Sequence, residues 1–184
     1  MALFVTQRVD KKNNDFEPLP EGYYEMTIDS TGPDATKGGT EYIKVALRVR
    51  KDLDQALPET NGKYHNRLVF ASVWRRKATG QYDEGDLSSI TQAAGYAPGT
   101  PIEDWNDWSQ KLEGKNVRVK VSVSEDTYQG KTTKRNQVWP SDFEPTQFPT
   151  QAQMQAQMQP QPQPQQPSPF AQPQAQVNDN DLPF

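Results

Sequence analysis

The stretch "EYIKVALRVR", Glu41 to Arg50, alternates apolar and polar residues: Ile43, Val45, Leu47 and Val49 share one parity, and Tyr42, Lys44, Ala46, Arg48 and Arg50 share the other. A period of two is that of a β-strand, whose successive side chains point to opposite faces. If the aliphatic parity is buried, the other face is basic and carries an aromatic ring.

The same period recurs on both sides of this stretch. "GYYEMTID", Gly22 to Asp29, places Tyr24, Met26 and Ile28 on one face, and "NVRVKVSVS", Asn116 to Ser124, does so with Val117, Val119, Val121 and Val123. "YHNRLVFASVW", Tyr64 to Trp74, alternates more weakly, and "RNQVW" follows a turn around "YQGK" to make a fifth strand ending at Trp139. Between the third and fourth strands the period becomes helical. "DLSSITQAAG" offers Asp86 as N-cap, Leu87, Ile90 and Ala94 on one side, and Gly95 as a stop. "TPIEDWNDWSQKLEG" offers a capping box of Thr100 and Glu103, Pro101 at the first helical position, and Gly114 past the end. Three strands, a helical insert and two further strands is the order of an all-β OB-fold, a five-stranded Greek-key barrel with helices between strands 3 and 4. Residues 1–144 make up that barrel domain.

Past Glu144 the composition changes. Residues 145–178 are dominated by Gln and Pro and contain neither Gly nor a charge. Such a segment cannot bury a core and is expected to be a disordered linker, although "QAQMQAQMQ" could turn briefly helical before its prolines. Residues 179–184 form an anionic tip with two apolar side chains, Leu182 and Phe184, around Pro183. The low hydrophobic share of 33% matches a chain part of which contributes no core.

Composition excludes several chemistries. There is no Cys and His65 is the only His, so neither a disulfide framework nor a Cys/His zinc site is available, and no metal or cofactor is expected. The apolar run at the start is too short for a signal peptide and nothing approaches a membrane span, so a cytoplasmic location is expected. "GPDATKGGTEY", Gly32 to Tyr42, has the wrong spacing for a Walker phosphate loop and reads as a hairpin loop in which Lys37 could touch a phosphate. "PD" at Pro33 and Asp34 suggests a metal-dependent nuclease, but no Glu-x-Lys partner follows on a strand, and no enzymatic activity is expected.

The net charge of -4 conceals an uneven distribution: every Lys and Arg lies between Arg8 and Arg135. Lys44, Arg48 and Arg50 join Tyr42 on the outward parity of the second strand, Arg118 and Lys120 oppose the valines of the fourth, and Tyr128, Lys131, Lys134 and Arg135 surround the next turn. Trp74 is followed by Arg75, Arg76 and Lys77. Cations tracking phosphates and flat rings for unstacked bases are what sequence-tolerant binding of single-stranded nucleic acid requires. The competing reading is an ordinary solvated face, with Trp74 in the core. Trp105 and Trp108 share a helical stripe with Ile102 and Leu112 and are expected to pack on the barrel, as is Trp139.

The tip "DNDLPF" resembles the acidic C-terminal tip of bacterial and phage single-stranded DNA-binding proteins. The body, through "LPEGYYEMTI" from Leu19, "TKGGTEYIKVALRV" from Thr36 and "LEGKNVRVKV" from Leu112, is similar to a phage-encoded family of single-stranded DNA-binding-like proteins. The resemblance implies an OB-fold that coats single-stranded DNA during phage replication or recombination in the host cytoplasm. It also implies a tip, Asp179, Asp181, Leu182, Pro183 and Phe184, that recruits replication, repair and recombination proteins. Asn178 and Asn180 make this tip less acidic than the family's usual one. A recombination mediator, a strand-annealing accessory and a virion component remain as alternatives, and homo-oligomerisation is open.

Overall fold

The computed structural model describes residues 17–128, 130–151 and 153–154. The five residues of the expected recruiting tip lie outside the described residues, as do residues 155–178 of the expected linker and the side chains of Tyr128 and Lys131.

Six strands and two helices follow in the order β1 (Gly22–Ala35), β2 (Glu41–Val49), β3 (Leu68–Trp74), α1 (Glu84–Ala93), α2 (Trp105–Leu112), β4 (Asn116–Tyr128), β5 (Lys131–Gln137) and β6 (Phe143–Pro145). All pairings are antiparallel, in the spatial order β3-β2-β1-β4-β5, with β6 added on β4. The far strand β5 comes back against β3, so the sheet curls towards closure. This is a mostly β architecture compatible with an OB-like fold, with six strands in place of the expected five.

The alternation read from the sequence sets the core. Ile43, Val45, Leu47 and Val49 of β2 are fully buried with Tyr24, Met26 and Ile28 of β1, Val69, Ala71 and Val73 of β3, and Val117, Val119 and Val121 of β4. Ile90 of α1 and Trp108 and Leu112 of α2 complete the same cluster.

Strand β1 runs six residues past its expected end. The register slips between Ile28, opposite Leu47, and Ser30, opposite Ala46. Asp29 is the extra residue of a bulge, which inverts the parity and turns Thr31 and Pro33 towards the partners Val45 and Ile43. "GPDA" therefore belongs to the strand, and the hairpin closes in a tight turn in which Thr36 N donates to Thr40 O and Gly39 N to Thr36 O, both at 2.9 Å. The left-handed φ of 78° at Gly39 is what that turn needs from a glycine.

Both helices begin elsewhere than expected. Asp83, not Asp86, caps α1, accepting from Gly85 N at 2.8 Å and Asp86 N at 3.3 Å. Asp104 caps α2 by accepting from Asp107 N at 2.8 Å, while Asp107 accepts from Glu103 N at 3.0 Å. A reciprocal aspartate pair thus displaces the expected Thr100–Glu103 box, and Thr100 donates instead to Ala97 O at 2.8 Å.

The body also continues beyond Glu144, where the linker was expected to leave it. Thr146 to Thr150 is laid as a strap over the end of β2. Gln147 N donates to Glu25 Oε1 at 3.0 Å, Thr146 Oγ1 donates to Glu25 Oε2 at 2.5 Å, and Arg50 Nη1 donates to Phe148 O at 2.8 Å. Gln153, almost fully buried, donates to Asn116 O at 3.1 Å. Beneath the strap Asn61 donates to Glu25 O at 2.7 Å and to Arg50 O at 3.0 Å. Every buried charge there has a partner, as burial demands.

Candidate nucleic-acid interface

On the outer face of β2 and β3 the register sets Tyr42 beside Trp74, Lys44 beside Ser72, Ala46 beside Phe70 and Arg48 beside Leu68. Cross-strand neighbours in an antiparallel pair share a face, so these residues form one surface. Phe70 is 51% exposed, Trp74 45% and Leu68 44%, which is unusual for side chains of this size on a strand. Tyr42 and Trp74 lie with ring centroids 4.8 Å apart, and Lys44 Nζ sits 5.9 Å from the centre of the Phe70 ring. On the adjoining part of β1, Ser30 and Gly32 face Ala46 and Lys44, and a side chain at Gly32 would meet open space. The result is an open strip of sheet face bordered by rings, called the trough for its small residues Ser30, Gly32 and Ala46 between larger neighbours.

Carboxylates accompany the cations of this face. Lys44 Nζ is 2.9 Å from Asp34 Oδ2, an oxygen that also accepts from Tyr42 Oη at 3.1 Å. Arg48 donates from Nε to Asp29 Oδ1 at 2.9 Å and from Nη2 to Oδ2, the geometry of a bidentate pair. The Lys44 hydrogen bond holds the Asp34 carboxyl below its ordinary range, and the Arg48 guanidinium does the same for Asp29. Both carboxylates are therefore ionised at neutral pH and compete with any phosphate for these two cations.

At the end of the trough Arg75 pairs with Glu41 and donates from Nε to Gly80 O at 2.6 Å, while Arg76 pairs with Asp83. Among the described residues Lys37, Lys77 and Lys120 form no ion pair. Lys37 lies in the β1–β2 turn and Lys77 in the loop after β3, at the end of the sheet that holds Tyr42 and Trp74.

Other expected contacts fall elsewhere. Arg50 is a correction: its side chain is 4% exposed, 3.8 Å from Glu25 and 2.5 Å from Asp52, and the strap covers it. It keeps the outward parity of β2, but a nucleic acid cannot reach it. Arg118 stacks 4.2 Å from the Tyr23 ring centre and pairs with Glu144 at 3.3 Å, on the β1–β4 side of the sheet, with Lys120 opposite Tyr23. Lys134 and Arg135 are paired along their own hairpin with Glu125 at 2.9 Å and Asp126 at 2.8 Å. In the backbone register Lys131 is the partner of Tyr128 at its tip.

Of the tryptophans expected in the core, Trp108 is buried and donates to Thr91 Oγ1 at 2.8 Å, whereas Trp105 and Trp139 are exposed. Asp34, the residue that prompted the nuclease reading, has its carboxylate engaged by Lys44 and Tyr42. Among the described residues no group of three His, Cys, Asp or Glu could hold a metal ion. His65 is at the surface, its Nδ1 3.0 Å from Gly62 O and 3.1 Å from Asp54.

Phe70 and Leu68 were not singled out from the sequence. Their signal was the parity of "LVFASVW": with Val69, Ala71 and Val73 inside, Leu68, Phe70 and Trp74 must be outside. Tyr23, now seen against Arg118, was likewise opposite Tyr24 in the alternation of β1.

A solved structure described as yeast RPA bound to ssDNA is similar to this chain at 12% identity and a TM-score of 0.33, over 83% of this chain and 94% of that one. No curated protein matches the sequence. The family described as protein of unknown function, DUF669, matches over residues 6–164, and the chain belongs to that family.

Proposed function

We propose that this protein binds single-stranded DNA without sequence preference, as a nonenzymatic coating protein. The observation that carries the reading is the ring set Tyr42, Phe70 and Trp74 on one sheet face, with Phe70 and Trp74 exposed and Tyr42 half-buried, interleaved with Lys44 and Arg48. Two exposed rings beside a half-buried third leave apolar surface in water, whereas stacking of unpaired bases returns about 1–3 kcal/mol per base. The stacked bases of a duplex are not available to such a surface, so single strands are the preferred ligand.

The phosphate contribution in this proposal is modest. Lys37 and Lys77, at the Tyr42–Trp74 end of the sheet, form no ion pair among the described residues, and Lys44, Arg48, Arg75 and Arg76 reach phosphate only by exchanging one anion for another. Binding led by stacking, with a shallow salt dependence, is the expected behaviour.

The phage setting, a role in replication or recombination in a bacterial cytoplasm, and recruitment of partner enzymes through Asp179 to Phe184 rest on the sequence resemblance of the tip and body. In the proposed recruitment the Phe184 ring enters an apolar pocket of the partner, and basic side chains there meet Asp179 and Asp181.

The test is a titration of fluorescent oligothymidine at two salt concentrations, read by anisotropy and by tryptophan quenching, with the matching duplex as control. Single strands should bind and quench, and the duplex should bind more weakly. Equal affinity for both, or none for the single strand, would sink the proposal. Deleting Asp179 to Phe184 should leave this titration unchanged and abolish capture of purified host replication proteins; capture that survives would remove the tip from the account.

A further inference from the structure

Charge is unevenly divided within the body. Residues 83–113, which hold both helices, contain seven acidic residues and a single basic one, Lys111, whereas the chain as a whole carries only -4. Several of these acids have local duties: Asp83 and Asp104 cap the helices, and Asp107 pairs with Lys111. Acids at helix starts are ordinary for that reason. Glu84 and Glu103 are different, because both are exposed and neither forms an ion pair among the described residues.

These two glutamates, with Asp104, rim an open cleft of about 650 Å³ between α1 and the loop leading into α2, and no Lys or Arg lines it. The apolar part of its wall is Leu87, Ala97, Pro98, Ile102 and Trp105, with Trp108 beneath, and Ser88, Gln92 and Thr100 add polar groups. Trp108 has its indole N–H satisfied by Thr91, so the floor presents no unmet donor. Ile102 and Trp105 remain 38% and 39% exposed at the mouth, and Tyr82 stands edge-on to Trp105 at 5.2 Å. An aromatic and an aliphatic side chain left in solvent around a concave apolar site are the usual anchors of a protein contact.

We propose that this helical insert is a docking surface for a partner polypeptide that places an aliphatic or aromatic side chain in the cleft and flanks it with Lys or Arg. Charge complementarity selects that occupant. A nucleic acid would bring phosphates onto a surface of net charge -6. The chain's own C-terminal tip would bring Asp179 and Asp181 to the same carboxylates, with no Lys or Arg after Arg135 to offset them. The insert thus turns an anionic, protein-binding side outward, although Glu84, Leu87 and Trp105 also line an adjoining cavity with Arg75 and Arg76 at the end of the trough.

The experiment uses the full chain and nuclear magnetic resonance with three probes: a synthetic lysine–leucine peptide, its glutamate–leucine counterpart, and oligothymidine. The lysine–leucine peptide should move the Ile102 resonances and the Trp105 indole resonance, with an affinity that falls as salt rises. Ile102→Ser and Glu103→Lys, both at exposed positions, should each weaken it about tenfold while the rest of the spectrum stays in place. Equal shifts from the glutamate–leucine peptide would reduce the cleft to unspecific apolar adhesion and overturn the proposal. So would Ile102 shifts caused by oligothymidine, since Ile102 lines the cleft but not the adjoining cavity of Arg75 and Arg76, shifts that grow with protein concentration alone and so report a second copy, or wild-type affinity in both variants. A failure of oligothymidine to bind anywhere leaves this proposal standing and removes only the single-stranded DNA reading.

Discussion

Arg48 and Arg50 lie two residues apart on one strand, with the same parity, and end in opposite environments. Arg48 stands in solvent over the β2–β3 trough, paired with Asp29. Arg50 is sealed beneath the strap, held by Asp52, Glu25, Thr146 and the carbonyl of Phe148. Alternation decides which way a side chain points. What lies above it is decided by segments distant in sequence, here residues 146–150. The trough is left uncovered and keeps its rings exposed; the end of β2 is covered and converts its cation into a structural tie.

The largest effect should come from the covered region. Arg50→Ala leaves the Glu25 carboxylate buried without its guanidinium, and loss of one partner of a buried pair costs about 3–5 kcal/mol. Denaturant unfolding should show that loss, while Arg48→Ala should be nearly silent in the same assay; equal effects would erase the distinction between the two regions. Next comes the open region: Phe70→Ala should weaken oligothymidine binding by about 1–3 kcal/mol with little change in stability. Unchanged affinity together with lost stability would make Phe70 a packing residue.

A smaller and opposite effect is expected at Asp34. Asp34→Asn releases Lys44, so affinity for oligothymidine should rise and the slope of log affinity against log salt should steepen by about 0.7, the share of one phosphate on a single strand. An unaltered slope would place Lys44 off the DNA path. The pH profile should agree. Asp29 and Asp34 have depressed pKa values, so their pairs persist above the ordinary carboxylate range and are lost only as pH falls through the lowered values. Oligothymidine affinity should thus be flat from about pH 8 to about pH 5, a range in which ordinary carboxylates stay largely ionised. A rise within that interval would mean that other groups govern binding. The smallest effect belongs to Arg135→Ala, an exposed pair along a hairpin, for which stability should change by about 0–1 kcal/mol.

Much of the fold was legible because burial on a sheet follows a period of two. Ile43 to Val49 and Val117 to Val121 went inside as their parity requires. Strand β3 was harder to read, since Leu68 and Phe70 occupy outward positions with apolar side chains and blur the alternation that reveals a half-buried strand. Those same two residues are part of the candidate site, so the feature that weakened the strand signal is the feature of functional interest. The strap was hidden for a different reason. Its Thr, Gln and main-chain groups satisfy buried charges by hydrogen bonds, and such a role leaves no apolar pattern in a Gln/Pro-rich stretch.

By itself the sequence determined neither the span of β5, Lys131–Gln137 where the strand was expected to end at Trp139, nor the presence of β6. It did determine the existence of β1 to β4 and their buried faces, the helical insert between β3 and β4, and the clustering of cations near aromatic rings. These follow from local chain geometry and from composition. Only the tertiary structure decided that Asp29, Asp34 and Glu41 would meet Arg48, Lys44 and Arg75, that Arg50 would be enclosed, and that Trp105 would stay outside while Trp108 went in. Ion pairing and exposure depend on strand register, on a one-residue bulge at Asp29, and on which remote segment crosses a face, none of which is a property of the residue concerned.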